Sequence, residues 1–228
     1  MVWIYLTRLE APLPAAVEQQ WLDLLAPAFR AKALRLARWQ DRQLSLLGKA
    51  LLWHAIQTHF RSFGGSLQDL ALNAFKRPCF HGADFDFNIA HSGEWVVLAI
   101  GRHQQIGIDI EEMRPLVLEE YASIWREDER QSINNAPEQC QHFYNLWTAK
   151  EAVLKAMGTG LYTALTDIFL SPAAAHVGHK KWHLDKPIPP PGYSMALATD
   201  KNGPFFQQEL KWSELLVGTN QPSTIIVL

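Results

Sequence analysis

The sequence predicts an α+β fold built from two similar α/β parts. Some segments alternate between polar and apolar residues or run apolar over strand length, and longer segments carry apolar residues at helical spacing. Their order along the chain is strand, helices, strands, and then helices and strands again. The 228 residues, 48% of them hydrophobic, suit either one large globular domain or two small ones.

The first part begins with β-favouring residues at Val2 to Leu6, which predict a short strand. Apolar residues at helical spacing follow over 15–39, and Pro27 should divide this stretch into two helices. Asp41 is typical of an N-cap, so we expect it to open a long helix that runs to about Phe60. The pair Gly64-Gly65 is expected to end that helix.

Strands dominate the middle of the chain and helices follow them. The predicted strands are 85–89, 95–100 and 106–110, and the short connection 101–105 suggests that the last two form a hairpin. Helices are predicted over about 117–135 and 138–157, with Gly158 ending the second one. Short strands with proline-rich breaks complete the chain.

Charge is distributed unevenly although the formal total is only −2. Residues 1–63 carry eight Lys/Arg against four Asp/Glu, and residues 106–138 carry three against nine. One region therefore suits anions and another suits cations, unless both are simply solvated helix faces. The near-neutral total argues against a general nucleic-acid binder, and no apolar run is long enough to span a membrane. Two cysteines and the lack of a signal-peptide pattern predict the cytoplasm.

The strand Gly107-Ile108-Asp109-Ile110-Glu111 places two carboxylates on one side, because residues i and i+2 of a strand face the same way. Neighbouring carboxylates repel each other, so a positive group is expected between Asp109 and Glu111. A divalent cation with oxygen ligands fits, and Mg²⁺ is favoured where phosphates complete the shell. Alternatively, the two acids are solvated on an exposed strand face.

The segment from Phe143 to Met157 is a strong helix pattern in which Glu151 and Lys155 share one face. Trp147 lies on the same face one turn earlier. The pair is either a surface ion pair or part of a phosphate site, in which Lys150 and Lys155 neutralise charge and Glu151 is a ligand or base.

His91-Ser92-Gly93 lies at a predicted turn between two strands, where side chains and backbone N–H groups could bind phosphate. Alternatively, His91 is structural. No Gly-x-Ser-x-Gly motif is present in the sequence, which disfavours acyl-transfer catalysis by Ser92.

Three segments taken together, Phe87–Gly93, Ile106–Glu111 and Trp147–Lys155, resemble the Sfp-type 4′-phosphopantetheinyl transferases. Upstream, Asp41–Leu52 looks like the family's basic second-helix segment, and Arg77-Pro78 looks like the end of its Gly-Lys-Pro turn. Each motif is weak alone, but their ordered combination is highly specific.

The resemblance implies transfer of 4′-phosphopantetheine from coenzyme A to a serine hydroxyl of an acyl or peptidyl carrier protein, with release of adenosine 3′,5′-bisphosphate. It implies two α/β subdomains related by a pseudo-twofold axis, with the site between them. Residues 1–103 would form the subdomain that binds coenzyme A phosphates, and 104–228 the subdomain that carries the metal-binding carboxylates. A monomer is also expected. The carrier, from fatty-acid, polyketide or nonribosomal-peptide synthesis, stays open, as does the choice of Mg²⁺ or Mn²⁺.

Residue roles implied by the resemblance fall into three groups. Mg²⁺ would be held by Asp109, Glu111 and Glu151. Glu151 would also act as base toward the carrier serine, and Lys155 would stabilise the pyrophosphate and the departing phosphate. Coenzyme A phosphates would be contacted by His91, Ser92, Lys49, Arg42 and Arg77.

Three positions depart from the family pattern. Leu44 and Trp53 stand where family members often have basic residues, and Lys76 stands where the Gly-Lys-Pro turn has glycine. Arg42 or Lys49 could take the place of these basic residues at the 3′-phosphate.

Other functions are also consistent with parts of the sequence. The carboxylates could serve a Mg²⁺-dependent phosphodiesterase that consumes coenzyme A without a carrier, and the basic surface could belong to a carrier-binding module without turnover. A surface of Arg30, Lys32, Arg35 and Arg38 is expected to help dock an acidic carrier. A zinc site from His176, His179 and His183 is conceivable but lacks a fourth ligand nearby.

Overall fold

A computed structural model describes residues 1–158 and 163–216, and in this part of the chain two large β-sheets, a small two-stranded sheet formed by Ala71–Leu72 and Pro78–Cys79, and five α-helices organise the fold. The strands are β1 Val2–Arg8, β2 Ala71–Leu72, β3 Pro78–Cys79, β4 Phe85–Ser92, β5 Trp95–Arg102, β6 Ile106–Glu112, β7 Phe169–Ser171, β8 Ala174–Val177, β9 Lys180–Asp185, β10 Tyr193–Thr199 and β11 Phe205–Glu209. The helices are α1 Ala15–Leu24, α2 Pro27–Leu34, α3 Trp39–His59, α4 Glu127–Asn134 and α5 Gln139–Met157. The predicted α+β class is confirmed.

The first sheet has the strand order β11-β1-β5-β4, and the second has the order β6-β10-β9-β8-β7. Strand β1 pairs antiparallel with β5 and parallel with β11, so a strand from late in the chain completes the sheet that the first strand begins. No helix within the described residues is long and apolar enough to cross a membrane.

Successive apolar side chains in the central strands point to opposite faces, so each of the two large sheets packs on both sides. In β5, Val96, Leu98 and Ile100 pack toward α3, while Val97 and Ala99 face the second sheet. The second sheet contributes Ile106, Ile108 and Ile110 of β6 to the same inter-sheet cluster. On its other face, Ala196 and Ala198 pack with residues of α5. The layers are therefore helix, sheet, sheet, helix. This layering is compatible with a pseudo-twofold axis, which stays a prediction.

Several sequence-based details were wrong. The segments 95–102 and 106–112 do not form a hairpin, because β5 pairs with β4 and β1 while β6 pairs with β10 in the other sheet. The turn between them carries the chain from one sheet to the other, with His103 at φ +52°.

Helix boundaries also differ from the predicted ones. Helix α3 begins at Trp39, so Asp41 lies in its first turn instead of capping it, and the helix ends at His59 before the glycine pair. The predicted helix 117–135 is a 3₁₀ segment, Leu118–Ile124, followed by the separate helix α4. Gly158 ends α5 as predicted, with φ +67°.

The two sheets meet where β4 runs beside β6, and side chains make the connection. Asp86 Oδ2 accepts the backbone N–H of Ile106 at 2.9 Å, and Asn88 Oδ1 accepts that of Ile108 at 2.9 Å. Ser92 Oγ accepts the backbone N–H of Glu112 at 3.0 Å. These bonds join residues that are always 20 positions apart, so they fix the register of β4 against β6. We call this set the β4–β6 seam.

Helix α5 approaches β6 closely at Gly107. A Cβ at this position would lie 2.0 Å from the carbonyl oxygen of Ala152 and 2.3 Å from the backbone nitrogen of Ala156. Both atoms belong to the backbone of α5, so neither can move aside without shifting the helix. The absence of a side chain at Gly107 therefore sets the distance between α5 and the second sheet.

We expect Gly107→Ala to lower the free energy of unfolding by about 3 kcal/mol, because the methyl group overpacks this contact. Urea unfolding monitored by tryptophan fluorescence would measure the loss. Gly64→Ala is the matched control, since a Cβ there meets nothing within 4 Å. Equal stability of the two variants would contradict the proposed close approach.

His59 provides a titrating group inside the first part of the chain. Its ring stacks on Trp3 with centroids 4.2 Å apart, and its Nε2 lies 2.6 Å from the hydroxyl of Tyr5. Burial, with a smaller effect from His54, lowers the pKa of His59 to about 4. In the unfolded chain the pKa of histidine is about 6.5, so the unfolded state takes up the proton first as pH falls.

The free energy of unfolding should therefore decrease as pH falls from about 6.5 to about 4. His59→Gln should weaken this dependence, whereas His81→Gln, at an exposed position, should leave it unchanged. Urea unfolding at pH 7, 5.5 and 4.5 would measure the difference, and parallel pH profiles in both variants would refute it.

Candidate active site

Asp109 lies on β6 and is deeply buried, with only 2% of its surface exposed. Its Oδ1 accepts a hydrogen bond of 2.5 Å from Lys155 Nζ, and its Oδ2 has no hydrogen-bond partner among the described residues. Burial raises the pKa of Asp109 to about 7, opposed by Lys155 and assisted by the charges of Glu111 and Glu151. A buried carboxylate with an unsatisfied oxygen is costly unless a positive group joins it.

Helix α5 carries Glu151 and Lys155 one turn apart on the face turned toward β6. Burial raises the pKa of Glu151, while Lys155 lowers it and Glu111 raises it further. The carboxylates of Asp109, Glu111 and Glu151 therefore lie close enough to influence one another's protonation. Lys155 is the cation among them.

His91 and Ser92 are the last two residues of β4, whereas the sequence predicted them in a turn, and the β4–β6 seam aligns them with the end of β6. Ser92 Oγ donates to Glu111 Oε2 at 2.8 Å, in addition to accepting the N–H of Glu112. His91 is an exposed residue, but desolvation and then the charges of Lys49 and Lys155 lower the pKa of its ring. His91 thus stands between the basic helix α3 and the carboxylates.

Lys49 on α3 is the predicted phosphate ligand that the structure leaves best placed. Its Nζ donates to Ser45 Oγ at 3.0 Å, and desolvation, with a contribution from Lys32, lowers the pKa of Lys49 to about 8. Two cations held near each other in a half-buried place favour an anionic ligand. Lys32 was not among the predicted phosphate ligands, although it belongs to the predicted basic surface.

Arg42 and Arg77 are both engaged elsewhere. Arg42 pairs with Glu18, which also accepts a hydrogen bond from Gln43. The Arg77 guanidinium donates to Asp86 at 2.7 Å and to four backbone carbonyls, and only 12% of the side chain is exposed. The structure therefore corrects the expectation that these two arginines present free guanidinium groups to phosphate.

Lys150 also differs from its expected role. It is completely buried, and its Nζ donates to Glu129 Oε2 at 2.6 Å and to the carbonyl of Leu165 at 2.8 Å. Burial lowers the pKa of Lys150, and Glu129 opposes this shift. Lys150 thus ties α5 to α4 and does not face the carboxylates. Glu129 lies 21 positions away, so residue spacing within the helix could not reveal this partner.

Across the described residues, no group of three or more His, Cys, Asp or Glu side chains is already gathered to hold a metal ion. Asp109, Glu111 and Glu151 therefore lie near one another without forming a ready-made metal site, and the structure does not support the zinc site considered for the three histidines. In the β8–β9 pairing, His176 lies opposite Lys181, and His183 lies opposite Ala174.

Comparison with known proteins identifies the family. The model of the 4′-phosphopantetheinyl transferase superfamily matches residues 105–197, which contain Asp109, Glu111, Glu151 and Lys155. The chain is 30% identical over 161 residues to 4′-phosphopantetheinyl transferase Sfp of Bacillus subtilis (strain 168), covering 69% of this chain and 71% of that protein. The chain belongs to the 4′-phosphopantetheinyl transferase superfamily.

Other relatives agree with this assignment. The chain is 33% identical over 148 residues to 4′-phosphopantetheinyl transferase psf-1 of Bacillus pumilus, which covers 60% of this chain and 59% of that protein. The crystal structure of Thermotoga maritima holo-[acyl-carrier-protein] synthase aligns with a TM-score of 0.33 and 22% identity over 42% of this chain and 61% of that one, a likeness too partial to carry an argument.

Within this phosphopantetheinyl transferase, Lys76 shows why glycine suits the family's Gly-Lys-Pro turn. Its φ is +62°, a left-handed conformation that glycine adopts without steric cost and lysine does not.

The buried charge of Asp109 should make the folded protein less stable than it would be with a neutral side chain at this position. Because the charged form of its carboxyl is disfavoured by burial, we expect Asp109→Asn to leave the metal-free protein as stable or more stable at pH 8, by about 1 kcal/mol or 2–4 °C in Tm. Differential scanning calorimetry with a chelator present would measure this. Asp23→Asn, at an exposed position, is the control, and a large loss of Tm confined to Asp109→Asn would refute the expectation.

Proposed function

We propose that this enzyme transfers 4′-phosphopantetheine from coenzyme A to a serine hydroxyl of an acyl or peptidyl carrier protein and releases adenosine 3′,5′-bisphosphate. The observation that supports this most directly is the convergence of Asp109, Lys155 and Glu151 with the end of β4, which carries His91 and Ser92. Family membership supplies the reaction type, and this cluster supplies the groups that the reaction needs. Residues 1–103 and 104–228 are proposed as its two subdomains, and the cytoplasm as its location.

The carboxylates fit a divalent cation. Asp109 offers a buried oxygen without a hydrogen-bond partner among the described residues, and Glu111 and Glu151 are additional hard oxygen donors nearby. We propose that these three residues hold Mg²⁺. When bound, the ion would neutralise charge on the pyrophosphate of coenzyme A.

The chain's own residues account for the remaining requirements of displacement at phosphorus, which are alignment, charge neutralisation and a positioned nucleophile. Lys155, whose Nζ bonds Asp109 Oδ1, offers its ammonium to the transferred phosphoryl group and its leaving oxygen. Glu151 takes the proton from the carrier serine, and its raised pKa brings its basicity closer to neutral pH.

The first subdomain is proposed to bind the rest of coenzyme A. His91, whose lowered pKa keeps the ring neutral at pH 7, donates a ring N–H to a phosphate oxygen. Lys49 and the nearby Lys32 provide positive charge for a phosphate, in place of Arg42 and Arg77. Ser92 orients Glu111 through its hydroxyl and contacts a phosphate only if that bond is given up.

The carrier protein is proposed to dock beside α2, where exposed Lys32, Arg35 and Arg38 and the half-exposed Arg30 form a basic surface. Arg30 already pairs with Asp23 at 2.9 Å, and Lys32 is assigned to a phosphate, so Arg35 and Arg38, which have no ion-pair partner among the described residues, offer most of the charge for the carrier. Carrier proteins are typically acidic, and opposite charges accelerate association in a salt-dependent way.

The central test incubates the purified protein with coenzyme A, Mg²⁺ and several apo carrier proteins, and reads the carrier mass. We expect a gain of one phosphopantetheine group, abolished by a chelator and restored by Mg²⁺. Asp109→Ala should reduce the rate at least 100-fold because the buried ligand oxygen is lost, whereas Glu120→Ala, at an exposed position, should not.

Three outcomes would contradict the proposal. No mass gain with any carrier would exclude the transferase reaction, and consumption of coenzyme A without a carrier would favour a phosphodiesterase. Full activity of Asp109→Ala would refute the metal assignment.

A further inference from the structure

Arg77 lies at the junction of four segments of the chain. Its Nη1 donates to the carbonyls of Lys155 at 2.5 Å and Ala156 at 3.2 Å, both in the last turn of α5. Its Nη2 donates to Asp86 Oδ2 at 2.7 Å and to the carbonyls of Phe87 at 2.9 Å and Ile106 at 2.7 Å. One guanidinium therefore joins β4, β6 and the end of α5 to the segment just before β3.

The groups around the Arg77 guanidinium are negatively charged or partially negative, so they hold this cation in a fixed position. The last carbonyls of a helix lack partners within the helix and carry partial negative charge, which a nearby arginine satisfies. Asp86 supplies a full negative charge and also accepts the N–H of Ile106, so the same carboxylate belongs to the β4–β6 seam. Both terminal nitrogens of Arg77 are thus already bonded, and the side chain is mostly buried.

Lys155 is held by this arrangement at its backbone, while its side chain reaches the site. The carbonyl of Lys155 is fixed by Arg77, and its Nζ bonds Asp109 Oδ1. Strand β6 is fixed by the same arginine at Ile106, three residues before Asp109. Arg77 therefore binds both partners of the Lys155–Asp109 pair through their backbones, next to the close approach at Gly107.

We propose that Arg77 is a positioning residue for phosphopantetheinyl transfer, which sets Lys155 relative to Asp109 and does not bind coenzyme A. This inference rests on the proposed function. If Arg77 has a positioning role, replacing it with lysine should impair the enzyme although the positive charge is kept. A lysine would preserve a phosphate contact as a point charge, but it cannot span the end of α5 and the two strands as the planar guanidinium does.

The test compares Arg77→Lys with the unchanged protein by transfer kinetics and by calorimetric titration of coenzyme A. We expect kcat to fall about 10- to 100-fold, since small misplacements of catalytic groups have effects of this size. The Kd for coenzyme A should change less than about threefold. A raised Kd with normal kcat, or no change in either quantity, would overturn the proposal.

A double-mutant cycle with Lys155→Ala separates positioning from general support of the fold. If Arg77 acts through Lys155, then Arg77→Lys should cost little additional kcat once the Lys155 side chain is gone. If the double variant loses kcat by the product of the two single-variant losses, the proposal is overturned. Asp86→Asn weakens the same junction but leaves the Arg77 side chain in place, so it should cause a smaller loss of kcat. This variant tests the proposal if Arg77→Lys fails to fold.

Arg102→Lys is the matched control. Arg102 also pairs with an aspartate, Asp84, and its guanidinium lies over Phe60, but these contacts stay within the first part of the chain. The kcat of Arg102→Lys should therefore remain within about twofold of that of the unchanged protein. If neither the unchanged protein nor this control transfers phosphopantetheine, the proposed function fails. If both transfer it and the Arg77 variants do not behave as described, only the positioning role fails.

Discussion

Side chains of one strand, rather than its backbone, hold the two sheets in register. Along β4, Asp86, Asn88 and Ser92 each accept a backbone N–H of β6, so polar side chains satisfy donors that a neighbouring strand would otherwise satisfy. Because the bonds recur every two residues or a multiple of two, a shift by one residue would break all of them together. The position of the turn after β4 against the end of β6 depends on this match, and so does the site.

The site combines groups that are poorly accommodated when the protein is alone. Asp109 is buried with an unsatisfied oxygen and a raised pKa, and Lys155 compensates its charge from the neighbouring helix. Arg77 and Asp86 add a second, saturated ion pair at the base of the same helix. The saturated pair stabilises the framework, while the unsatisfied group provides the capacity to bind a ligand.

Local patterns predicted what depends on local geometry. The alternation of β6 placed Asp109 and Glu111 on one side, and helical spacing placed Glu151 with Lys155. The same patterns failed where a distant partner decides the outcome. The sequence analysis placed Lys150 in the possible phosphate site. In the helix, Lys150 points about 100° away from its neighbour Glu151, and in the core it binds a carboxylate of α4, that of Glu129. Arg77 was read as a phosphate ligand, and its acceptors come from segments that only the tertiary fold brings together.

Pairing errors have a related cause. The connection between β5 and β6 is short enough for a hairpin, yet each strand buries both faces and finds its neighbours in a different sheet. Nearly continuous apolar runs in a sequence indicate burial but not which strand lies alongside. The predicted helix 117–135 failed similarly, since its periodicity spans two short helical segments separated by Trp125 and Arg126.

The parallel pairing of β1 with β11 has a consequence for how the protein is made. Strand β1 is synthesised long before residues 205–209, so one of its edges stays uncovered until they emerge, although β5 can pair with the other edge much earlier. During synthesis the edge of β1 is open to pairing with other chains, and contacts so distant in sequence form slowly. The nascent chain is therefore most vulnerable to aggregation in the interval between synthesis of β5 and synthesis of β11.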